Sequence, residues 1–191
     1  MNAYKGANSI KRFAKKAGVF LVPGEEIRVL TSEMDMHKSL GEVIVYFPQK
    51  EIKPSAFESI LDEVKSQGAL LSCPHPFDWP RADFKEFPKE WKKFGAMEIY
   101  NARAYYQGLN DESEKFAMSP AVKGKIACLG VSDAHTPEEI GNGLTEISAV
   151  NEEEFRKEIK KCRTNVIANA HAGIKHHFQT QLAKRKLIKE R

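Results

Sequence analysis

Four short stretches carry residue types that hold metal ions or move protons, and each lies in or beside a short apolar run. Ser132-Asp133-Ala134-His135 sets a carboxylate and an imidazole two residues apart. In an extended segment that spacing sends both to one side, and a hard oxygen donor beside a borderline nitrogen donor suits a divalent metal. Asp133 can equally cap a helix opening at Thr136-Pro137-Glu138-Glu139, with His135 packing beside it. Cys73-Pro74-His75-Pro76 holds a histidine between two prolines, which stiffen the backbone and lower the entropy lost when the imidazole is fixed on a ligand. A surface loop histidine is the alternative there, and Cys73 reads as a small buried hydrophobe. Pro23-Gly24-Glu25-Glu26-Ile27 puts two carboxylates at a tight turn, and extended chain directs only one of them inward. Met97-Glu98-Ile99-Tyr100-Asn101 carries a charge inside an apolar run, so in a core strand Glu98 needs a cationic, hydrogen-bonding or metal partner. His171, His176 and His177 have no carboxylate or cysteine beside them, His37 sits in a polar stretch, and all four read as surface residues.

The elements that must position these residues alternate between apolar runs and capped or amphipathic stretches, the pattern of an α/β fold built from βα units. A short basic helix capped by Asn8 or Ser9 is expected to end at Gly18, with Val19 to Val22 as a buried strand and Ile27 to Leu30 extended after the Pro23-Gly24 turn. Glu42 to Phe47 is the clearest strand, and Ser55-Ala56-Phe57-Glu58 reads as a capping box for a helix ending near Gly68. Ala69 to Ser72, Ala96 to Tyr100, Ile126 to Leu129 and Leu144 to Val150 are further strands. Asn151 caps a helix through Lys161, and a basic helix at about 172–191 closes a single domain spanning 1–191. Glu26, His75, Asp133 and His135 then stand just past strands, which in a parallel array gather at one face. Phe77, Trp79, Phe84, Phe87, Trp91 and Phe94 are expected to form a small core over the segment after His75.

Composition narrows the class. A chain of 191 residues with 41% hydrophobic and 29% charged residues is an ordinary globular one, not collagen-like or disordered. Six basic residues against one acid fall between His171 and Arg191, so the net charge of +4 belongs to the tail and the body has no bias toward nucleic acid. The 3 cysteines lack C-x-x-C spacing, and no apolar run reaches membrane-spanning length. With no leader read at the N-terminus, a cytoplasmic protein is expected.

Taken in order, the segments resemble the PHP family, the polymerase and histidinol phosphatase metal-dependent phosphoesterases. Pro23-Gly24-Glu25-Glu26 resembles the family's P-G-x-E, His75-Pro76 its H-P, Glu98 with Asn101 its E-x-Y-N, and Gly130 to His135 its G-x-S-D-A-H. The resemblance covers about residues 1–145 and implies a distorted seven-stranded (β/α) TIM-like barrel. The family's H-x-H, S-D-G and T-D-H-N motifs are not in this sequence; Asn2 resembles the last residue of T-D-H-N, so the chain is expected to supply the barrel without its first strands. Gly41-Glu42-Val43 stands where the family has a further histidine. Carried over, Glu26 would bridge two divalent ions (zinc, manganese or iron), with Asp133 on the first, His75 and Glu42 on the second and His135 on the third. Glu26, Asp133 and His135 would be catalytic and Asn101 substrate-binding. The implied activity is hydrolysis of a small phosphomonoester or nucleotide, with no membrane partner and nucleic acid not favoured. The alternative is a degenerate barrel that binds RNA or protein. A barrel short of strands leaves open edges, so self-association, or a terminal helix closing the gap, is expected.

Overall fold

The computed structural model describes residues 3–31, 38–79, 83–104 and 108–170. His37 and the expected C-terminal helix, with His171, His176 and His177, lie outside the described residues. A basic helix α1 (Ala3–Lys16) leads to a five-stranded mixed sheet of order β1-β2-β3-β4-β5: Gly24–Leu30, Ser39–Tyr46, Leu70–Cys73, Ala96–Asn101 and Ala127–Val131. Helices α2 (Phe57–Ser66), α3 (Phe87–Glu90) and α4 (Gly108–Ala117) fall between strands. Helix α5 (Glu152–Lys160) separates β6 (Gly143–Glu146) from β7 (Asn165–Ala168), which pair as an antiparallel ribbon against β5. Among the described residues the sheet does not close into a barrel. No described helix is long and apolar enough to cross a membrane.

The sheet is not the parallel array expected. β2 runs antiparallel to both of its neighbours, β1 and β3, and the paired strands that are parallel are β3 with β4 and β4 with β5. The connection from Thr31 to Lys38 is too short for a crossover, so β1 and β2 can pair only as antiparallel neighbours. Alternation then gives the sheet two faces. Ile27, Val29, Val43, Val45, Leu71, Cys73 and Met97 pack with Ile60, Leu61 and Val64 of α2 in the main core. Phe57, Phe84, Phe87 and Phe94 complete that core, with ring centroids 4.6 to 6.0 Å apart. Trp79 does not join them; it is 62% exposed. The opposite face buries Ala96, Ala127 and Leu129 under Ile159 of α5 at one end and carries Glu26 and Glu42 at the other.

Local chemistry explains the remaining departures. Residues 19–22 form no strand and Val19 is exposed; the chain becomes extended only after Pro23, whose carbonyl accepts from Phe47 N at 2.8 Å. Helix α2 starts from Ala56 with no side-chain cap, so the expected box at Ser55 does not form. Asn151 does cap α5, its Oδ1 accepting from Glu154 N at 2.9 Å. The last predicted strand stops at Glu146, and β7, whose apolar run is only Val166 to Ala168, lies mostly on the surface. Gly130 allows the ribbon its close approach, since a Cβ there would sit 2.5 Å from Leu144 O.

Candidate metal centre

β1 and β2 supply two carboxylates to the site. Glu26 pairs in register with Ile44 and Arg28 with Glu42, so Glu26, Arg28 and Glu42 share one face while Ile27 and Val43 face the core. Glu26 was expected just past a strand; it lies within β1, because the strand begins at Gly24. His75 follows β3 and is buried at 4% exposure. One ligand atom from each of Glu26, Glu42 and His75 lies within 4.8 Å of the others, with His75 Nε2 3.8 Å from Glu26 Oε1.

Asp133 and His135 form a second group beyond β5, with Nε2 of the histidine 3.5 Å from Oδ1 of the aspartate. Strand alternation is not what joins them. Asp133 takes φ of 47°, a left-handed turn that brings the two side chains together, and it caps no helix because Thr136 occupies the N-cap position. His75 also has positive φ, 28°. Such backbone costs about 1–3 kcal/mol per residue and persists only where its surroundings over-determine it.

Glu98 and Asn101 of β4 supply that determination. Glu98 Oε2 accepts from His75 N and from Asn101 Nδ2, both at 2.9 Å. Burial pushes the Glu98 carboxyl up to about 7, with its attraction to His75 the largest opposing effect. Asn101 Nδ2 also reaches Asp133 Oδ2 at 3.3 Å, and Asn101 Oδ1 accepts from Arg103 N at 2.8 Å. Asn101 was expected to bind substrate. It lines the cleft, and its amide bonds to Glu98, Asp133 and Arg103. The cleft, of about 370 Å³, is bounded by Glu26, Tyr46, His75, Glu98, Asn101 and Asp133 among others, and among the described residues no lysine or arginine lines its wall.

Two functional candidates were not singled out from the sequence. Arg28 is two residues beyond Glu26, so strand alternation was enough to place it on the site face. Glu139 is fully buried behind His135, and its signal was a Thr-x-x-Glu spacing that also reads as an ordinary helix start.

Fold and site define a mixed α/β protein with carboxylates and imidazoles gathered on one face and at the ends of its central sheet. Residues 109–164 match the family model described as PHP-associated. An uncharacterized protein of Methanocaldococcus jannaschii is 33% identical over 139 residues, 69% of this chain and 53% of that protein. The fold is shared, at TM-score 0.62 and 18% identity, with a two-domain protein from Bacteroides vulgatus described as containing a predicted PHP-like metal-dependent phosphoesterase; the match covers 86% of this chain and 49% of that one. The chain thus spans about half the length of these relatives. The family match is confined to residues 109–164, and the likeness to the solved structure is one of fold.

Proposed function

We propose that this chain binds a divalent transition metal through Glu26, Glu42 and His75 and hydrolyses a small phosphomonoester or nucleotide. The observation that carries the reading is the approach of those three side chains to within 4.8 Å. Two carboxylates and an imidazole suit manganese, iron or zinc, and three protein ligands with an open position are what a catalytic ion requires. A bound ion there supplies Lewis-acid polarisation of phosphate oxygens and a water of lowered pKa. The chain's own residues do the rest. Glu98 holds the His75 loop through His75 N, and Asn101 holds Glu98 and Asp133 in fixed relation. Asp133 and His135 offer a further oxygen and nitrogen donor to a second, weaker position. Arg28 is the one lysine or arginine in strands β1 to β5, and it is exposed on the site face opposite Glu42. It is the strand-borne cation able to meet a phosphate dianion.

Elemental analysis of metal-replete, dialysed protein tests the metal half, with about one tightly held ion per chain expected. Hydrolysis of p-nitrophenyl phosphate, abolished by chelator and by Glu26→Gln, tests the chemical half. Metal binding without turnover would make the chain a binding module. No retained metal would overturn the reading.

A further inference from the structure

Behind the Asp133–His135 turn lies an ion pair that nothing in the proposed chemistry uses. Arg103 Nη1 donates to Glu139 Oε1, and both residues are buried, at 4% and 0% exposure. Removing two charges from water is expensive, and such pairs are often less stabilising than apolar residues of similar volume. This pair holds something in exchange. Glu139 Oε2 accepts from His135 N at 3.0 Å, from Thr136 N at 2.9 Å and from Thr136 Oγ1 at 3.1 Å. Arg103 N in turn donates to Asn101 Oδ1. One carboxylate therefore ties the backbone around His135 to the chain leaving β4, while Asn101 ties Asp133 to the same place. The turn is fastened at its left-handed residue, Asp133, and again just beyond it, at His135 and Thr136.

We propose that Arg103 and Glu139 are positioning residues: their buried pair sets the His135 backbone so that the His135 imidazole stands beside the Asp133 carboxylate as the second donor pair of the site. The exposures agree with the division of labour, since the His135 side chain is 36% exposed and open to a ligand while the pair behind it is sealed. Outer partners of this kind typically contribute 10–100-fold to metal affinity.

The proposal rests on the metal reading above, and the test separates the two. Cobalt(II) is titrated into the metal-free full chain and followed by its visible absorption. A tight phase reports Glu26, Glu42 and His75, and a weaker phase reports Asp133 and His135. In Glu139→Gln the weaker phase should lose affinity about 10–100-fold while the tight phase is unchanged. Arg103→Lys, which keeps the cation but not the planar fork, should show a smaller loss of the same phase, and it serves as the readout if Glu139→Gln does not fold. His135→Ala marks the position of the phase itself. A purely structural role predicts a lower urea midpoint with both phases intact, and that result overturns the proposal. So does a wild-type chain with the tight phase alone. Loss of the tight phase in the wild type would instead refute the metal reading at Glu26, Glu42 and His75.

Discussion

Replacing Asn101 by alanine tests the network that holds the site more directly than removing a ligand does. Asn101 is 2% exposed, and its amide donates to Glu98 at 2.9 Å and to Asp133 at 3.3 Å while accepting from Arg103 N at 2.8 Å. A hydrogen bond to a charged group contributes about 1.5–3 kcal/mol, and a buried donor left without an acceptor costs about 1–3 kcal/mol. The Asp133 bond is long and half-exposed and adds little, and Glu98 is near half-protonation at neutral pH, so the lower ends apply. Asn101→Ala should therefore lower stability by about 3 kcal/mol, a drop of about 1 M or more in urea midpoint at the slopes usual for small proteins. Asn101→Asp keeps the acceptor for Arg103 but turns a third carboxylate toward Glu98 and Asp133, and it should be no more stable than the alanine variant at neutral pH. Urea unfolding with chelator present measures both without interference from bound metal. A loss below about 1 kcal/mol for Asn101→Ala would show that the carboxylates do not depend on this amide.

Glu98 sets a pH dependence in the metal-free protein. Its folded pKa is raised from 4.5 to about 7, so its proton favours the folded state; stability is fullest below the unfolded value and falls by about 3 kcal/mol as pH rises through the folded one. Glu98→Gln should flatten that slope in urea midpoints taken from pH 4 to pH 8. Arg28→Ala should raise KM for p-nitrophenyl phosphate about tenfold with little change in kcat, as expected for loss of an exposed contact made equally in ground and transition states; an effect confined to kcat would place Arg28 in the chemical step instead. Gly41 has φ of 129° and its missing Cβ would meet the Asp83 backbone, so Gly41→Ala should cost more than about 2 kcal/mol, read as a lowered thermal midpoint.

Much of the architecture was legible because it follows from local rules. The β-branched and aromatic run from Glu42 marks β2, which extends to Tyr46, Asn151 caps α5, and Glu98 was required to have a partner because a carboxylate in an apolar strand cannot stand alone. Strand direction was not legible. It depends on the length of the connection between Thr31 and Lys38, which no residue pattern announces. Glu26 lies inside a strand for a different reason, that β1 begins at Gly24. β7 is hard to read for another reason, since its three apolar residues, Val166 to Ala168, are too short a run to show a period.

The site was legible as a set of residue types and illegible as a geometry. Asp133 and His135 meet, but through a left-handed backbone turn, a conformation uncommon outside glycine though more accessible to aspartate than to most residues. The turn is fixed by Asn101 and Glu139, which lie 32 and 4 residues from the partners they hold. A sequence shows the chemistry that a side chain can do and not the group that occupies it. The same holds for His75, whose prolines suggested a stiff loop but whose position is set by Glu98, 23 residues away. At both turns the strained residue faces the cleft and the group that fixes it is buried behind or beneath. Backbone strain at one position is thus held by polar side chains placed elsewhere in the chain, and the ligand-type residues His75 and Asp133 still line the cleft.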